Sequence, residues 1–134
     1  YFPGEEWRTQ KLVKELLARY FTDKPNGIPG NDDTGTMSAW AIFSMIGFYP
    51  DCPGTPDYTL TTPVFDKVTL RLDSRYYKED KLVIRKSSNS DYIKEVKLDG
   101  VKHNGFRITH DELVHAGELV FEMSENNKMN ENNK

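Results

Sequence analysis

The stretch from Pro29 to Pro50 constrains this chain more than any other. It places three amide or acid side chains in a row, Asn31, Asp32 and Asp33, ahead of a segment from about Thr34 to Ile46 that is apolar on nearly every face. A helix apolar all round has to be buried. The polar residues at its mouth therefore sit on a rigid support, the arrangement that a binding or catalytic site needs. Gly47 is placed to end this helix as a C-cap.

A second helix is expected upstream, over Glu5 to Phe21. Leu12, Val13, Leu16, Leu17, Tyr20 and Phe21 recur at three- and four-residue spacing, and Lys11, Lys14, Glu15 and Arg19 fill the opposite face. Asp23 to Gly27 carries turn chemistry between the two helices, which predicts an antiparallel helical hairpin. The pair carries more apolar surface than each can bury in the other, so further helical neighbours are expected.

From Tyr58 the periodicity changes to two. Val68, Leu70 and Leu72 alternate with polar residues, Leu82 and Ile84 frame Val83, Tyr92, Val96 and Leu98 fall on one side of a strand, and Leu119, Phe121 and Met123 alternate again. Asp99-Gly100 and Asn104-Gly105 are turn signals. Thr109 and Glu112 have capping-box spacing, which predicts a short helical turn near His110 to Val114. The expected fold is thus α+β: a helical hairpin with its acid loop over 1–57, a small antiparallel β-sheet unit over 58–124, and a polar, disordered tail over 125–134.

Composition removes several functions. The 18 Lys and Arg are scattered among 21 Asp and Glu, for a net charge of −3, so no basic stripe is present to track nucleic-acid phosphates. No run approaches the roughly 18 apolar residues of a membrane span. Cys52 is the single cysteine, which excludes an intramolecular disulfide and a multi-cysteine metal site. The chain begins with Tyr1 and shows no signal pattern after it, and with its excess of apolar helix surface it reads as a piece of something longer.

The residues alone leave Asn31-Asp32-Asp33 with two readings. Carboxylate and amide oxygens suit Ca²⁺ or general-base chemistry, and the same residue types are favoured as N-caps. An EF-hand does not fit, because Gly35 at loop position six would put Gly30 and Thr34 where acids are required. His110 and His115 are five apart, on different helix faces, so they do not share one zinc. Trp40 reads as core, Trp7 as partly exposed, and Cys52 has no sequence-adjacent His to activate it.

The run from Gly27 through Asn31-Asp32-Asp33-Thr34-Gly35-Thr36-Met37-Ser38-Ala39-Trp40, with Gly47-Phe48-Tyr49-Pro50 after it, resembles glycoside hydrolase family 92, the calcium-dependent exo-acting α-mannosidases. The resemblance continues through Pro53-Gly54, Thr62-Pro63-Val64-Phe65-Asp66, Leu98-Asp99-Gly100, Ile108-Thr109-His110-Asp111 and Gly117 to Met123. It implies a large enzyme with a β-sandwich and a six-hairpin helical barrel, of which this chain is the C-terminal part, exported to the periplasm or secreted. Its first two helices would be the last of the barrel.

The resemblance further implies inversion at the anomeric carbon, with Asp33 as general base, Asp32 in a supporting role, Asn31 and Thr36 as substrate contacts, and Asp33 and Asp32 near a bound Ca²⁺. The two carboxyl groups of an inverting pair lie about 6.5–9.5 Å apart across the sugar, so the acid partner belongs to another part of the polypeptide. A mannose-containing glycan and the remainder of that polypeptide are the expected partners, and the chain alone is expected to be inactive. The competing expectation is a non-catalytic carbohydrate-binding or structural module, with a sheet face carrying Tyr76, Tyr77 or Tyr92 against a glycan.

Overall fold

A computed structural model describes residues 4–126. The amphipathic N-terminal segment forms helix α1, Glu6–Tyr20, one residue shorter at each end than its apolar pattern suggests. It runs into the Pro- and Gly-rich loop, a short 3₁₀ turn at Asp33–Gly35, and helix α2, Thr36–Ile46. Gly47 ends α2 at φ 112°, its N–H returning to the Phe43 carbonyl at 3.0 Å, as the C-cap position requires. Leu12 on α1 and Ile42 on α2 are 55% and 58% exposed, so the hairpin leaves apolar helix surface open.

The β part forms two sheets. In the first, β1 (Phe48–Tyr49), β2 (Asp57–Leu60) and β7 (Arg107–Thr109) pair antiparallel in the order β1-β2-β7. The second joins β3 (Lys67–Arg71), β4 (Lys81–Lys86), β5 (Tyr92–Leu98), β6 (Val101–His103) and β8 (Glu118–Ser124) in the order β3-β4-β8-β5-β6. This α+β architecture, without a closed barrel, agrees with the sequence. One pair, β4 with β8, is parallel, so the larger sheet is mixed; alternation of apolar residues has the same period in either orientation and does not report it.

Two turns act as the sequence indicates. Asp99 and Gly100, at φ 48° and 79°, close the β5–β6 hairpin with the left-handed pair that a two-residue loop favours. Thr109 caps helix α3, His110–His115, and Glu112 answers it in a complete capping box. Strand β5 departs from the expected alternation. A bulge between Ile93 and Glu95 inserts Lys94 without a partner, which shifts the phase of the strand. Ile93 therefore joins Val96 in the core, at 1% and 2% exposure, and Tyr92 is only half-buried.

The core gathers Phe48 and Leu60 from the small sheet, Leu82, Ile84, Ile93, Val96, Leu119 and Phe121 from the large one, and Leu113 from α3. Phe43 and Ile46 of α2 pack against it. Helix α1 is tied to β5 by Gln10, whose buried side-chain oxygen accepts the Ile93 N–H at 3.0 Å, and by an ion pair from Lys14 to Asp91. The acid loop thus stands on a helix seated on the sheet core. Of the expected tail over 125–134, residues past Asn126 lie outside the described structure.

Candidate functional site

The loop ahead of α2 separates its three polar residues by what each touches. Asp32 is half-buried and faces the helix: one carboxylate oxygen accepts the Ser38 N–H at 2.8 Å and the other accepts the Ser38 hydroxyl at 2.5 Å. The Ser38 hydroxyl, followed by its N–H, holds the Asp32 carboxyl below the usual carboxylate range. Gly35 occupies the N-cap position of α2, yet Asp32 fills the role of a cap from three residues further back, satisfying an otherwise orphaned amide of the first turn.

Asp33 is placed differently. Its carboxylate is exposed and has no hydrogen-bond or ion-pair partner among the described residues, whereas its backbone carbonyl takes both the N–H and the hydroxyl of Thr36, the latter at 2.8 Å. The hydroxyl that the family resemblance implied as a substrate contact is thus donating within the loop. Asn31 is exposed, with no hydrogen bond from its side chain among the described residues. Between Asp33 and Gly35, Thr34 sits at φ 55°, a conformation strained for a β-branched residue. Such strain persists only where surrounding contacts over-determine it, and it concentrates at functional sites.

Beside this loop, α1, α2 and β1 enclose an apolar groove of about 420 Å³ lined by Tyr20, Phe21, Thr36, Met37, Trp40 and Tyr49, with Leu16 and Pro29. Trp40, expected in the core, is half-buried and stacks on Phe21 with ring centres 5.4 Å apart. The hairpin has no further helix to cover that face among the described residues, so the ring lines the groove. Trp7 is half-buried under the Arg8 guanidinium.

The histidines lie elsewhere. His110 places Nδ1 3.0 Å from the Tyr58 hydroxyl and Nε2 3.4 Å from that of Tyr77, and His115 directs Nδ1 to the Asp111 carbonyl at 2.8 Å. Among the described residues no three His, Cys, Asp or Glu side chains converge as a metal cage, and no helix is long and apolar enough to cross a membrane. The acid loop fits Ca²⁺ in part only. The ion takes six to eight oxygens, of which Asp33 and Asn31 offer unengaged ones, while both Asp32 oxygens are already accepting from Ser38.

Residues 1–125 match the family model described as the glycosyl hydrolase family 92 catalytic domain. The chain belongs to glycosyl hydrolase family 92. Among solved family 92 structures, an inverting mannosidase from Bacteroides thetaiotaomicron is 35% identical, with a TM-score of 0.78 over 90% of this chain and 16% of its own. A family 92 α-mannosidase of the same organism, solved in complex with mannoimidazole, is 30% identical, with a TM-score of 0.80 over 91% of this chain and 16% of its own. An uncharacterized secreted glycosidase of Arthroderma benhamiae is 26% identical over 125 residues, or 89% of this chain and 16% of that protein. The chain therefore spans about a sixth of the length of these relatives.

Sequence reasoning missed Ser38 in this family 92 loop. It stands six residues after Asp32, across a turn at Thr34 and Gly35, and cap patterns written for three-residue spacing do not reach it.

Proposed function

We propose that this chain is the C-terminal part of an inverting, calcium-dependent α-mannosidase that removes mannose from glycans, with Asp33 as the general base. The observation that carries the reading is the unpartnered, exposed carboxylate of Asp33, held on a strained turn at the mouth of α2. A base must keep its lone pairs free for the proton of the attacking water, and of the two adjacent acids only Asp33 does so. Asp32 supports the loop, and Asn31 and Thr36 border the position that a sugar would occupy.

The acid that protonates the leaving oxygen must lie across the sugar, about 6.5–9.5 Å from the base. An adjacent carboxylate is too close for that role, so the acid is supplied by the remainder of the parent polypeptide and the chain alone is inactive. In this reading residues 1–57 complete the catalytic barrel and 58–124 close it at the C-terminus, in an enzyme that is secreted or periplasmic. Ca²⁺ would be held jointly by one oxygen of Asp33, leaving the other for the attacking water, by Asn31 and by oxygens from that remainder, with Asp32 at most a distant contributor; when bound, the ion would polarise neighbouring sugar hydroxyls. Its site among these residues is incomplete without them.

The alternative, a carbohydrate-binding module, draws on Tyr76, which is 76% exposed. The Arg75 guanidinium covers one face of that ring, and the Tyr77 hydroxyl is engaged by His110, which leaves little of an aromatic platform. Time-resolved NMR of a mannoside incubated with the full-length protein tests the main reading. β-Mannose as the first product supports it; α-mannose, or binding without turnover, overturns it.

A further inference from the structure

We propose that Ser38 is a positioning residue of this site, holding Asp33 in place through Asp32; the inference rests on the reading of Asp33 as the base. Three bonds from Ser38 and Gly35 fix Asp32, and the Met37 backbone adds a weaker one to its carboxylate. Its carboxylate takes the N–H and hydroxyl of Ser38, and its carbonyl takes the Gly35 N–H at 2.5 Å. The first two anchor the loop to the first turn of α2, which is packed through Phe43 and Ile46 against the sheet core. The third closes the turn over Asp33 and Thr34.

Within that closed turn Thr34 stays at φ 55°. A β-branched residue left to itself returns to negative φ, and doing so would rotate the peptide that follows Asp33. Ser38 is the only side chain among the described residues that holds the Asp32 carboxylate against this relaxation. Its hydroxyl and amide both point at one acid, so that acid acts as a strut rather than as a calcium ligand or a second base. Asp33 is then free to face outward on a loop it does not itself stabilise through its side chain.

The test uses the full-length enzyme and four variants. Ser38→Ala removes one strut and is expected to lower kcat on the order of 10²-fold, the effect of a misplacement near 1 Å, with KM little changed. Ser38→Thr keeps the hydroxyl and restores kcat. Asp32→Asn keeps an oxygen for the Ser38 N–H and an amide that donates to its hydroxyl, so it retains far more activity than Asp33→Asn. Hydrogen exchange of the segment 31–38 reads the same strut without turnover: faster in Ser38→Ala, unchanged in Ser38→Thr. Wild-type kcat and exchange in Ser38→Ala would overturn the proposal, as would an Asp32→Asn enzyme as inactive as Asp33→Asn. Full activity in Asp33→Asn alone would instead remove the base assignment, with the exchange result still deciding the strut.

Discussion

The side-chain oxygen of Gln10 on α1 accepts the N–H of Ile93 on β5 at 3.0 Å, joining residues 83 positions apart. Gln10 is 1% exposed, and its Nε2 has no hydrogen-bond partner among the described residues. Gln10→Leu should leave the Ile93 amide buried and unpaired, a loss of about 1–3 kcal/mol. Removing the unpartnered amide nitrogen offsets part of this, so the low end of the range is expected. Urea unfolding of the chain measures it.

Gly47 carries a second structural demand. Its φ is 112°, and a Cβ there would stand 3.1 Å from the Pro63 Cβ and 3.2 Å from the Thr61 carbonyl oxygen. Gly47→Ala should therefore combine left-handed strain of roughly 1–2 kcal/mol with overpacking of similar size. Thermal melting should show a clear drop relative to wild type.

The α3 capping box makes part of the stability depend on pH. The Thr109 N–H and hydroxyl both donate to Glu112 at 2.8 Å, and these bonds hold its carboxyl below its ordinary value of 4.5, with His103 adding a smaller effect. The folded-state pKa is the depressed one, so the stabilisation is complete above about pH 4.5 and is lost as pH falls through the folded value. Thr109→Ala should cost about 0.5–2 kcal/mol at neutral pH, and the gap to wild type should narrow toward pH 3. Glu112 is 44% exposed, so screening keeps its own share small. Melting temperatures from pH 6 to 3 for wild type and Thr109→Ala supply the comparison.

How much of this was legible in the sequence depended on how local each cause was. The helices, the Gly47 cap, the Asp99-Gly100 hairpin and the Thr109–Glu112 box each follow from residues within one turn of each other. The parallel β4–β8 pairing joins Ile84 to Leu119, and no local pattern encodes such a partner. The bulge at Lys94 reversed the expected face of Tyr92 for the same reason. In the site, the residue types marked the acid loop and the family resemblance implied different roles for Asp32 and Asp33, but the bonds that set the two side chains apart were not visible, because they depend on where Ser38 points.

The proposed calcium dependence has a direct consequence. The acid loop supplies too few free oxygens to saturate the ion, so the chain alone should bind Ca²⁺ weakly. The full-length enzyme should lose activity on chelation and regain it when Ca²⁺ is restored. Isothermal titration of both proteins, with activity before and after chelation, checks this; activity that survives thorough chelation would contradict it.

The central claim is that Asp33 is the base half of an active site whose acid lies elsewhere in the polypeptide. Its most direct test is the kcat of the Asp33→Asn full-length enzyme on an α-mannoside, with folding verified by its melting temperature. A positioned general base contributes about 10²–10⁴-fold, so a fall of that size in a folded variant is the expected result. A folded Asp33→Asn enzyme that turns over at the wild-type rate would contradict the account.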